Sequence, residues 1–159
     1  MTTRTENYEI AKKTFQRIEK DFSGLSMNWD YNPQHVQLAL IIPAQDGLDF
    51  EMNLNLQGDS DLHISTEIIW CKLYSNDMSG LSEHFYECVK GIISGKYRIV
   101  QKYSGNKMYN SLLQKPTENG DWQTIYRHIK RPKLPWTKSY KNIIQNGQSS
   151  TLKKYKASC

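Results

Sequence analysis

The sequence predicts an α+β fold: an antiparallel sheet of about six strands in two meanders, with two helices packed on one face. Three observations carry this expectation. The decapeptide from Leu48 to Gln57 alternates without a break, Leu48, Phe50, Met52, Leu54 and Leu56 against Asp49, Glu51, Asn53, Asn55 and Gln57. That is the period of a strand with one buried and one wet face. Residues 5–22 and 79–94 repeat apolar side chains every three or four positions, the period of helices with a single buried stripe. Each of these helices precedes three strand-like segments joined by short turns, giving the order αβββ-αβββ, in which neighbours in sequence pair.

The first helix carries Tyr8, Ala11, Phe15, Ile18 and Phe22 on its stripe. Thr3 and Glu6 stand at capping-box spacing before it, and Gly24 suits the position just past its end. Met27, Trp29 and Tyr31 read as a connection whose aromatics pack under the helix before Pro33. A strand at His35–Ile42 follows, apolar on both sides, then the Asp46-Gly47 turn and the decapeptide. Residues 62–74 read as one further strand in which the apolar phase changes, at a bulge or a doubly covered end. The second helix places Leu81, Phe85, Cys88, Val89 and Ile92 on one stripe and stops at Gly95. Strands are expected at Lys96–Tyr103, Met108–Lys115 and Trp122–Ile129, with turns at Gly105 and Asn119-Gly120. Thr137–Gln145 suggests a short helix through Tyr140, Ile143 and Ile144. One domain over residues 1–145 is expected, with residues 146–159 as a mobile basic tail.

A chain of 159 residues can bury a core without disulfide or metal staples. No apolar run approaches the roughly 20 residues that span a bilayer, and the first residues lack a signal-peptide core, so no membrane association is expected. Cys71, Cys88 and Cys159 are odd in number and widely spaced, which favours a reducing, cytoplasmic setting over a disulfide framework. The net charge of +5 is unevenly spread: residues 1–25 carry +1, residues 26–90 carry −8 and residues 91–159 carry +12.

No GxGxxG, P-loop or GxSxG motif is present, and no histidines or cysteines stand at metal-ligand spacing, so neither cofactor nor metal is expected. His63 and Glu67, four residues apart, and His128 at a strand end are the acid–base candidates of an enzymatic reading, which ranks third. The basic final third supplies a nucleic-acid reading. Arg98, Lys102, Lys107, Arg127, Lys130 and Arg131 would neutralise phosphates, and tyrosines and tryptophans among them would stack bases. The leading expectation rests on the acidic middle. Asp49, Glu51, Asn53, Asn55, Asp59, Asp61 and Glu67 fall on the turns and wet face of the first meander. Such a face suits docking of a basic protein partner by a non-enzymatic module, such as a toxin-neutralising immunity protein or an adaptor.

Overall fold

Helix α1 (Arg4–Asp21) begins at a complete capping box: the Thr3 backbone N–H donates to Glu6 Oε2 at 2.6 Å, and the Glu6 N–H donates to Thr3 Oγ1 at 3.2 Å. Two backbone donors that the helix cannot satisfy internally are thereby paired. The computed structural model describes residues 3–31, 34–75 and 77–147, with the backbone of 155–156. Pro33, Lys153, Lys154 and Cys159 lie outside the described residues. The chain divides into two compact units, Met1–Lys90 and Gly91–Cys159.

In the first unit, five antiparallel strands lie in chain order: β1 (Asn28–Asp30), β2 (Leu38–Ile42), β3 (Met52–Gln57), β4 (Asp61–Ser65) and β5 (Trp70–Tyr74). Register puts Leu40 opposite Leu54, Leu54 opposite Ile64 and Ile64 opposite Cys71, one apolar row across four strands. Helix α1 covers that face, with the Phe15 ring 6.2 Å from Trp29 of β1. Helix α2 (Met78–Ile93) lies beside it, Phe85 stacked on Phe15 at 5.6 Å. Cys88 is near enough to Cys71 for the two thiols to interact electrostatically. Arg17 ties the helices further, pairing with Glu83 at 2.6 Å and resting 3.6 Å above the Tyr86 ring.

The second unit holds four strands, β6 (Arg98–Ser104), β7 (Lys107–Pro116), β8 (Trp122–Ile129) and β9 (Ser139–Ile144), in the order β9-β6-β7-β8. The two-residue strand β10 (Tyr155–Lys156) pairs with the outer edge of β9. Gly95 ends α2 at φ +67°, where a Cβ would collide with the Asn146 carbonyl. The Asn146 side chain donates to the Ile93 carbonyl and is itself buried. Asn146 thus ties the residues after β9 to the end of α2, and most of the expected tail, 148–154 and 157–159, lies outside the described residues.

Several expectations need correction. The strands form two sheets and not one, because β6 hydrogen-bonds β7 on one edge and β9 on the other and has no edge left for β5. The helix–strand order is α-five-α-four, not αβββ-αβββ. Trp29 belongs to a strand, and His35–Gln37 precede β2 rather than forming part of it. Of the decapeptide, only Met52–Gln57 is strand, yet burial still alternates back to Leu48, which closes a bridge with Gln45. The phase change in residues 62–74 is a hairpin. Thr66 Oγ1 accepts from the N–H groups of Ile68 and Ile69 at 3.0 Å, and the turn reverses which face the next residues occupy. The segment 137–145 is strand β9: Tyr140 stacks on Tyr103 at 4.7 Å, and a segment so short gains little as an isolated helix. Gly24 lacks the positive φ of a helix-ending glycine, and Phe22 caps α1 through its N–H to the Ile18 carbonyl.

Phe15 is fully buried and touches both the strand layer and the second helix. Phe15→Ala is expected to destabilise the fold by about 3–5 kcal/mol. A urea denaturation curve showing a loss under about 1 kcal/mol would contradict that placement.

Candidate binding face

With the apolar row turned to the helices, residues of the other parity share the opposite face of the first sheet. Asp30 pairs with Ala39, Ala39 with Asn55, Asn55 with His63 and His63 with Lys72; the next row is Ile41, Asn53, Ser65 and Trp70. This face is concave, enclosing about 810 Å³. Asp30, Asp49, Glu51 and Glu67 bring carboxylates to it, Ala39, Ile41 and Phe50 bring apolar surface, and Asn53, Asn55 and Trp70 stand on its strands. Of the residues read from the sequence as a docking face, Asp49, Glu51, Asn53, Asn55 and Glu67 come together here. Asp59 and Asp61 do not line the recess: Asp59 meets Arg4 at 3.6 Å, and Asp61 meets Lys72 at 2.8 Å.

Asn55 lies on the expected face but is only 7% exposed. Its Nδ2 donates to Asn53 Oδ1 at 2.9 Å, while its own Oδ1 accepts nothing from the described residues. His63 is likewise buried, on β4 beside Asn55. The Trp70 indole N–H donates to His63 Nδ1 at 3.0 Å, which places the neutral ring's proton on Nε2, an atom without a partner among the described residues. Burial pushes the His63 pKa down, with Lys72 acting in the same direction and Asp61 opposing. His63 and Glu67 do not form the pair on one strand that the sequence suggested, since Glu67 sits in the turn after β4. The recess contributors Asp30, Gln34 and His35 were not foreseen; they precede the decapeptide, at and before the start of the strand expected at His35–Ile42.

In the second unit, Lys102 and Lys141 are register partners on β6 and β9. Burial first, and then Lys141, Arg127 and Lys133, lower the Lys102 pKa. None of these four cations meets a carboxylate at ion-pair distance among the described residues. Arg98 is engaged within its own sheet: its guanidinium lies 3.9 Å from the Trp122 ring and its Nε donates to Gln114 at 2.9 Å. Lys107, Lys130 and Arg131 are exposed, and His128 stands half-buried on β8.

Among the described residues, no three His, Cys, Asp or Glu side chains converge as a metal site requires, and no helix is long and apolar enough to cross a membrane. No family model, no curated protein and no solved structure matches the chain.

The His63 environment sets a pH dependence. The folded ring resists a proton that the unfolded chain accepts, so its contribution to stability is whole above the ordinary histidine pKa near 6.5 and declines as pH falls through it. One proton limits the slope to about 1.4 kcal/mol per pH unit. Denaturation curves from about pH 7.5 to about pH 5.5 should show a shallower slope for His63→Gln than for the native chain; equal slopes would assign the titration elsewhere.

Proposed function

We propose that this protein is a non-enzymatic binding module that docks a basic protein segment on the concave face of its first sheet. The observation carrying the reading is the charge of the recess: Asp30, Asp49, Glu51 and Glu67 line it, and no lysine or arginine does among the described residues. Carboxylates gathered in a concavity focus their field, which raises the arrival rate of cationic partners and disfavours anionic ones. The surrounding unit reinforces that field, with seven basic and fourteen acidic side chains. Immunity proteins and adaptors that neutralise a basic partner use surfaces of this kind, and the analogy rests on charge and shape alone. A cytoplasmic setting accords with the buried Cys71 and Cys88 thiols, the former pushed up in pKa by burial.

The test is binding of a fluorescent peptide of alternating lysine and arginine. Glu51→Lys with Glu67→Lys should weaken capture at least about tenfold, near 1.4 kcal/mol. Glu9→Lys, on the exposed face of α1, should change it far less. Unaltered capture by the double variant, with an unaltered melting temperature, would remove the recess from the reading.

A second reading draws on the cation cluster of Lys102, Arg127, Lys133 and Lys141, whose mutual repulsion an anion would relieve. Single-stranded nucleic acid fits that chemistry. Each phosphate contact adds about 0.7 to the slope of log affinity against log salt, so Lys102→Ala with Lys141→Ala should flatten the slope by roughly 1.4. A gel shift at low salt with no movement of the native chain would dismiss it.

A further inference from the structure

We infer that the recess of the first sheet is built to receive an arginine side chain of the basic partner, rather than cationic surface in general. The inference rests on the proposed docking face and specifies the group it holds. Asn55 carries the argument. It lines the recess at 7% exposure, with its Oδ1, a buried acceptor, unpartnered among the described residues. Its orientation is fixed, because Nδ2 is committed to Asn53 Oδ1.

Trp70 supplies the second element. Trp70 remains 41% exposed, and the hydrogen bond from its indole N–H to His63 Nδ1 ties it to β4, the strand beside Asn55. An indole face held in one orientation attracts a flat cation more than a mobile one does. Glu67, in the turn between Ser65 and Trp70, and Glu51, just before β3, place carboxylates on the rim. Neither makes a hydrogen bond or ion pair among the described residues. Ala39, Ile41 and Phe50 offer apolar surface to the methylene stem of an inserted side chain.

A guanidinium satisfies these features together. It is planar for the indole, has donors in several directions for Asn55 Oδ1 and a carboxylate at once, and leaves water more readily than an ammonium. A lysine ammonium reaches the same carboxylates as a point charge but gains little from the ring or the buried amide oxygen.

The experiment titrates the ¹⁵N-labelled full chain with acetyl-Gly-Arg-Gly-amide and, separately, acetyl-Gly-Lys-Gly-amide, following the Trp70 indole and Asn55 side-chain amide resonances. Saturable shifts of both with the arginine peptide are expected, at least about fivefold tighter than with the lysine peptide. Glu67→Gln, an exposed turn substitution that should leave the fold intact, is expected to weaken the arginine peptide and narrow the difference. Equal affinities for the two peptides would overturn the arginine inference and leave the basic-partner reading standing. Shifts confined to resonances outside the recess would overturn it as well. No shift with either peptide, together with no capture of the mixed lysine–arginine peptide, would overturn both.

Discussion

The first sheet can bury only one of its faces, and most of the unit's structure follows from that constraint. Leu38, Leu40, Met52, Leu54, Leu56, Leu62 and Ile64 are fully buried and share one parity across three strands. A slip of one residue in any pairing would carry a whole apolar set to the other side, so the register is held strongly. The Phe15–Phe85 stack closes the layer from the helix side, bringing both helices onto the same face. The other face is left to the intervening residues. Its composition is therefore a by-product of parity only in part: parity decides which positions appear there, and Asn53, Asn55, His63 and Trp70 are what occupies them.

Those residues are unusual occupants of a half-buried sheet face. An amide oxygen or imidazole N–H held from water without a partner costs about 1–3 kcal/mol, and Asn55 and His63 each hold one such atom. Asn7, Asn110, Ser111 and Ser139 also bury an oxygen unpartnered among the described residues, and neither they nor His63 line the recess, whereas Asn55 does. The distinction lies in position on the recess lining, since all of these atoms are closed to water. A recess that a ligand can enter turns an unmet hydrogen bond into binding energy, whereas an unmet bond sealed in the core only lowers stability.

Much of this was legible in the sequence where a single physical signal dominated. The capping box, the stripes of both helices, strands β6, β7 and β8 and the positive-φ glycines at 47, 58, 105 and 120 all follow from local chemistry. The decapeptide's alternation marked the right face even though Leu48–Glu51 is irregular, since burial and hydrogen bonding are separate properties of a chain. What misled was local ambiguity resolved only by distant partners. Tyr140, Ile143 and Ile144 fit either period, and β6 decided the matter by pairing with them. The turn at Thr66 resembled a bulge because Ile68 and Ile69 are both buried, masking the polar break that ordinarily signals a hairpin. The recess itself was half visible. Asp49 and Glu51 could be read from alternation, but the burial of Asn55 and the lock between Trp70 and His63 depend on cross-strand neighbours that sequence spacing does not encode.

The boundary between the units coincides with a reversal of charge, from net −7 over residues 1–90 to net +12 over residues 91–159. The chain's net +5 is therefore a poor guide to what either unit attracts. At physiological salt the screening length is about 8 Å, so an approaching ligand responds to the charges nearest it. Within the first unit, a cationic group entering the recess would meet Glu51 and Glu67; within the second, a phosphate near Lys102 would meet Lys141 and Arg127. The two readings therefore do not compete for one surface. Raising the salt weakens the field of each. Recognition that rests on a buried amide oxygen and an oriented indole escapes most of that screening, and so the arginine contact would outlast the steering that delivers it.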